Sequence, residues 1–164
     1  MSDNPNNIII PQIEADALLS VEKERADSKE YDLENLTLEI PLVSCDRKEK
    51  FFLDLRNARI DILKFKYQTR ARSVIILARL DFGQAGRHTN PDHVTIEGPH
   101  IHIYREGYAD KWAYLLDDMP GGNIFSDIND RLKTLNEFMV YCNIKNAPLF
   151  ARGLFHDTRN PDPD

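Results

Sequence analysis

Cysteine is scarce. Cys45 and Cys142 are the only two in 164 residues, and they stand far apart with no C-x-x-C spacing, which reads as two reduced thiols. No apolar run approaches the ~20 residues that a membrane span needs. The opening stretch, residues 1–7, lacks the basic n-region and apolar core of a signal peptide. The expected location is therefore the cytoplasm, with no membrane partner. Nothing repeats internally and no segment is of low complexity. Positive charge is also short: 21 Lys and Arg against 27 Asp and Glu leave a formal net charge of −6, which makes the chain as a whole a poor bulk binder of nucleic acid.

That balance hides an asymmetry. Residues 1–50 hold 12 acids against 6 bases, whereas residues 51–82 hold 3 acids against 7 bases. A local basic face can still dock phosphates, because the attraction is short-ranged at physiological salt. The basic group consists of Arg56, Arg59, Lys64, Lys66, Arg70 and Arg72. Hydrophobic residues make up 41% and charged residues 29%, the proportions of an ordinary globular domain. The length suits one domain: a flexible tail over 1–12, a single α+β domain over 13–150, and a loose C-terminal tail over 151–164.

Periodicity supplies the elements. Ala17, Leu18 and Val21 predict a short amphipathic helix over 13–24 with a charge-crowded polar face. A loop is expected over 26–34. Leu36, Leu38 and Ile40 alternate as a strand should. Further strands are predicted over 51–55, 59–67 and 73–82, the second with a bulge near Ile62. On the third, Val74, Ile76, Ala78, Leu80 and Phe82 are expected on one face, with Ile75, Leu77, Arg79 and Asp81 on the other. After a long polar loop over 83–99, strands are expected over 100–105 and 111–116. A helix N-capped by Ser126 or Asp127 then runs to Asn143. Short links favour neighbouring antiparallel strands. The expected fold is α+β: an antiparallel five- or six-stranded meander with an N-terminal and a C-terminal helix packed on one face.

The chemistry concentrates between Arg79 and Tyr114, where four of the five histidines fall. Alternation places His100, His102 and Tyr104 on one strand face, with Arg79 and Asp81 sharing a face of the preceding strand. His88 and His93 lie in the intervening loop and are able to fold over this surface. Metal-independent RNA cleavage needs a base, an acid and a cation for the developing phosphate charge. His88, His100 and His102 are the proton-transfer candidates, Arg79 and Lys111 the cations, and Tyr104 a further candidate. The basic group at 56–72 would hold the backbone. The same atoms admit a metal-dependent hydrolase, through H-x-H with a loop histidine and Asp81. No cofactor and no resident metal is assigned at this point. A non-enzymatic interaction protein, binding a protein partner through the acidic first helix, is the alternative from another class; there the histidines are structural.

Arg79-Leu-Asp81, His88-x-Asn-Pro-Asp92 and Pro99-His-x-His-x-Tyr-x-Glu-Gly-Tyr108-x-Asp-Lys-Trp-Ala113 resemble the signature of a bacterial and prophage family of unknown function. Phe138-Met-Val-Tyr-Cys-Asn-Ile144 is similar to a second segment of that family. The resemblance spans about residues 13–148. More distantly, the strand-borne H-x-H after a histidine loop is similar to TumE-like toxins of toxin–antitoxin systems, small α+β proteins thought to act on RNA. That similarity implies a toxin-like activity on RNA, with an antitoxin as the protein partner, whereas the non-enzymatic alternative, an interaction protein of a mobile element, would bind a host or phage protein.

Overall fold

The computed structural model describes residues 9–35, 37–57, 64–83 and 86–151. In chain order the elements are α1 (Gln12–Ser20), β1 (Lys23–Arg25), β2 (Glu30–Tyr31), β3 (Thr37–Ser44), β4 (Lys50–Asn57), β5 (Phe65–Ala71) and β6 (Ile75–Phe82). There follow β7 (Arg87–Thr89), β8 (Thr95–Glu97), β9 (His100–Ile103), β10 (Ala113–Leu115), a single 3-10 turn (Leu116–Asp118), α2 (Arg131–Tyr141), β11 (Ile144–Asn146) and β12 (Leu149–Phe150).

The fold is α+β with a mostly antiparallel sheet. Its eight strands run in the order β10-β9-β6-β5-β4-β3-β1-β11, more than the five or six expected. β3 to β6 form the predicted meander, each strand antiparallel to the next. The hairpin β7–β8 is inserted before the chain returns to pair β9 with β6. β1 and β11 lengthen the far edge, and their pairing is parallel. Three-residue strands carry too little alternation to be read in advance, and β1 begins with a buried lysine. A small parallel pair, β2–β12, lies partly within the stretch expected to be a loop.

Apolar alternation chooses the inner face. Phe51, Leu53 and Leu55 of β4, Tyr67 and Ala71 of β5, Leu80 and Phe82 of β6 and Ile101 of β9 are all buried in one cluster. Ala15 and Leu18 of α1 and Leu135, Phe138 and Met139 of α2 join it, so both helices cover the same face. α1 is shorter than predicted because Val21 turns extended. Asp130, not Ser126 or Asp127, caps α2; its carboxylate accepts from the Lys133 amide at 3.0 Å. Residues 9–12 were expected in a loose tail, yet Ile10 is buried, and its amide and carbonyl both bond to the Tyr104 hydroxyl at 2.8 Å.

Lys23 joins the two helix ends. It is fully buried, and its ammonium donates to the carbonyls of Leu19 (2.7 Å), Val21 (3.0 Å) and Cys142 (2.8 Å). Three donors meet three carbonyls near both helix C-termini, where the helix dipoles favour a cation. Burial pulls its pKa down to about 8, which still leaves the amine charged at neutral pH.

β6 departs from strict alternation. Thr69 lies opposite Ala78 and Arg70 opposite Ile76, so Leu77 is the extra residue of a bulge. The bulge moves Ile76 to the face of Arg79 and Ile75 to that of Leu80, which corrects the parity expected for this strand. Val74 falls outside the strand and is exposed. The second predicted strand also shifts, since its described part, β5, runs on to Ala71. The bulge predicted near Ile62 lies outside the described residues. Among the described residues, no helix is long and apolar enough to cross a membrane.

Candidate functional site

The outer face of the sheet carries polar side chains in two rows. One row runs His100, Asp81, Lys66, Arg56 and Thr37, each directly opposite the next. The other runs His102, Arg79, Gln68, Asp54 and Glu39. β6 and β9 are neighbours, so Arg79 and Asp81 do stand beside the two strand histidines. A cavity of about 340 Å³ opens on this face, lined by residues that include Arg56, Lys66, Gln68, Arg70 and Arg79.

The hairpin β7–β8 roofs the histidine end. His88 sits with its ring 4.6 Å from that of His102 and 5.8 Å from that of His100. At the base of the hairpin, the Gly98 amide donates to the Gly86 carbonyl at 2.7 Å. A side chain at position 86 would place a Cβ 2.8 Å from the Gly98 oxygen, so only glycine fits. The roof is stapled to β10 by Asn90, whose amide group pairs with both main-chain groups of Ala113. His93 is exposed at the hairpin turn, away from the cluster.

Each of the three clustered histidines donates an N–H to a main-chain carbonyl: His88 Nε2 to Lys111 (2.8 Å), His100 Nδ1 to Gly98 (2.8 Å) and His102 Nδ1 to Asp110 (2.7 Å). A carbonyl only accepts, so these bonds fix the tautomers. In their neutral forms His100 and His102 then present bare Nε2 atoms. Both face Asp81 Oδ2, at 3.5 and 3.3 Å. Arg79 closes the group. Its guanidinium lies 3.0 Å from His102 Nε2, 3.2 Å from Asp81 and 2.9 Å from Asp110.

The electrostatics follow from this packing. Burial alone would raise the Asp81 carboxyl, but the facing His100 and His102 rings and the Arg79 and Lys66 cations outweigh it, and the group sits well below the usual carboxylate range. In the neutral tautomers the rings have no Nε2 proton to give, so the lasting contribution is the charge of Arg79 and Lys66. Burial lowers the pKa of His102 despite the neighbouring Asp81. His100 is 2% exposed and His102 1%, so both are closed to a substrate in this conformation.

The other expected site residues scatter. Tyr104 does not share the histidine face; β9 ends at Ile103, the Tyr104 amide bonds to the carbonyl of the bulged Leu77, and the ring is buried in the core beside Ile10. The Lys111 side chain is exposed, and only its carbonyl meets the cluster. Arg56 and Lys66 face each other across β4 and β5 and make no ion pair with a described residue. Arg70 is instead held by both oxygens of Asp54, at 2.7 and 3.0 Å, and its pKa is raised by that bond. Arg72 is clamped by Glu49 and Glu14. Lys64 is exposed ahead of β5, and Arg59 lies outside the described residues. Neither Asn90 nor Asp110 stands out in the sequence as a site residue, because their side chains act on Ala113 and Arg79, 23 and 31 residues away.

The fold and site thus define a small α+β protein with an open polar sheet face and a roofed histidine cluster. Residues 10–144 match the profile of a family of unknown function (DUF6978), and the chain belongs to that family. No curated protein and no solved structure matches it.

Proposed function

We propose that this protein acts on RNA through the open face of its sheet, with the phosphate backbone lying against Arg56 and Lys66. The carrying observation is that these two cations stand directly opposite each other on adjacent strands, neither in an ion pair with a described residue, with Asp81 on the far side of Lys66 as the one carboxylate next in the row. Like charges in that relation destabilise a sheet, and an anion bound between them removes the cost. Gln68 and Arg79 line the same cavity, together with Asp54, which Arg70 neutralises, and Glu39. The similarity of the central strand to TumE-like toxins points the same way.

Proton transfer by His100 and His102 is the weaker part of the ribonuclease expectation. Both rings are buried and already bonded, which leaves His88 and Arg79 as the groups nearest the surface. The interaction-protein reading draws less support. In the first helix Glu14 is taken by Arg72 and Asp16 by Gln12, so much of its acidic charge is engaged inside the chain.

The test is cleavage of a mixed RNA pool by the purified chain, with and without EDTA, beside His88→Ala and Lys66→Gln. The expected result is processing or retention of RNA that falls in Lys66→Gln. RNA left neither bound nor cut by a folded protein would overturn the reading.

A further inference from the structure

We infer that Asp81, His100 and His102 form a binding site for a divalent first-row transition ion of the Zn²⁺ class, independent of any RNA on the open face. Among the described residues, one ligand atom of each lies within 4.8 Å of the others. Two of the three separations, from Asp81 Oδ2 to each Nε2, are 3.3 and 3.5 Å, close to the spacing of about 3.4 Å between ligands of one tetrahedral ion with bonds of about 2.1 Å; the two Nε2 atoms lie within 4.8 Å of each other and close toward the same separation on binding.

The tautomers strengthen the case. Both Nδ1–H groups are committed to carbonyls, so both Nε2 lone pairs and the carboxylate point inward together. Three acceptors facing one another repel unless a proton or a cation lies among them. Carbonyls that orient metal-ligating imidazoles through the second nitrogen are the usual outer shell of such sites. Two imidazoles and one carboxylate suit a transition ion better than Mg²⁺ or Ca²⁺, and three protein ligands leave a coordination position open.

Arg79 is the positioning residue. Its guanidinium lies beside His102 Nε2 and Asp81 and is anchored by Asp110 at 2.9 Å, so a cation among the three ligands would compete with it. Binding therefore sets the ion against the guanidinium at His102 Nε2 and Asp81.

The test uses the full chain and Zn²⁺, with Co²⁺ as the spectroscopic probe. We expect one ion per chain and a Co²⁺ absorption spectrum of a low-coordinate nitrogen and oxygen site. In the unmutated protein, Zn²⁺ should move the Nε2 ¹⁵N resonances of His100 and His102 and leave their Nδ1–H protons in place. Asp81→Asn and His100→Gln should each weaken binding by at least about 100-fold, the upper end of what outer-shell changes alone cost. Arg79→Met should tighten it, because the competing charge is gone; a merely structural cluster predicts no such gain. Cys45→Ser and His93→Ala should leave affinity unchanged. A folded wild-type chain that takes up no ion, or binding that moves neither histidine's Nε2 resonance, overturns the site.

Discussion

The side-chain amide of Asn90 pairs with Ala113 as a strand backbone would: its oxygen accepts from the Ala113 amide at 2.8 Å and its nitrogen donates to the Ala113 carbonyl at 2.9 Å. The hairpin that roofs the histidines is thereby tied to β10, which would otherwise leave these two groups unsatisfied. Asn90→Ala should cost about 1–3 kcal/mol, the penalty for two orphaned buried main-chain groups. Asn90→Asp should cost more, because a carboxylate facing the carbonyl adds repulsion. Thermal unfolding gives the stability. Modification of His100 and His102 by an imidazole-directed reagent should be slow in the wild type and fast in both variants.

Lys23 offers a test on the other side of the molecule. Its pKa near 8 lies below the ordinary 10.5. Between those values the unfolded chain binds a proton that the folded chain has lost, so the contribution of Lys23 to stability rises with pH across that window. Cys142 and Tyr141 are both pushed up to about 12 by burial and work in the opposite direction. The difference between wild type and Lys23→Met isolates the lysine. The variant should be destabilised at pH 7 by about 1–3 kcal/mol, since three carbonyls lose their donor, and the gap should widen from pH 8 to 10.5. Denaturant titrations at several pH values measure it.

The acid limb belongs to His102 and Asp81. Burial holds His102 below 6.5, so as pH falls through 6.5 the unfolded chain takes up a proton that the folded chain refuses, and stability drops. Asp81 acts lower: its contribution is full above 3.8 and is lost as pH falls toward its depressed folded value. His102→Gln should flatten the slope below 6.5, which is at most about 1.4 kcal/mol per pH unit for one group. Asp81→Asn should flatten the part below 3.8 and steepen the drop below 6.5, because the carboxylate is what holds the His102 pKa up. Unfolding free energies between pH 3 and 7 separate the two.

Some of this is legible in the sequence. The H-x-H alternation places His100 and His102 on one face, the short links favour the meander, and Arg79-Leu-Asp81 does stand beside them. What escapes depends on distant partners. Nothing near Lys23 says that three carbonyls from two helix ends will surround it. The bulge at Leu77 reads as one more apolar residue in an apolar strand, yet it reverses Ile75 and Ile76. Tyr104 continues the H-x-H-x-Y alternation in sequence, but the strand ends one residue earlier and the ring turns inward to Ile10. The histidine tautomers are beyond reach for the same reason, because they are set by the carbonyls of Gly98, Asp110 and Lys111.

We propose that the open face holds a phosphate backbone between Arg56 and Lys66. The most direct test is the binding of a labelled single-stranded oligoribonucleotide, followed by anisotropy as salt is raised, for the wild type and for Arg56→Gln with Lys66→Gln. Both side chains are exposed, so the double variant should fold. Binding should weaken with salt, and the log–log salt slope should be smaller by about 1.4 in the variant, about 0.7 for each phosphate that is no longer neutralised. An unchanged slope, or no salt-dependent binding by the wild type, would contradict it.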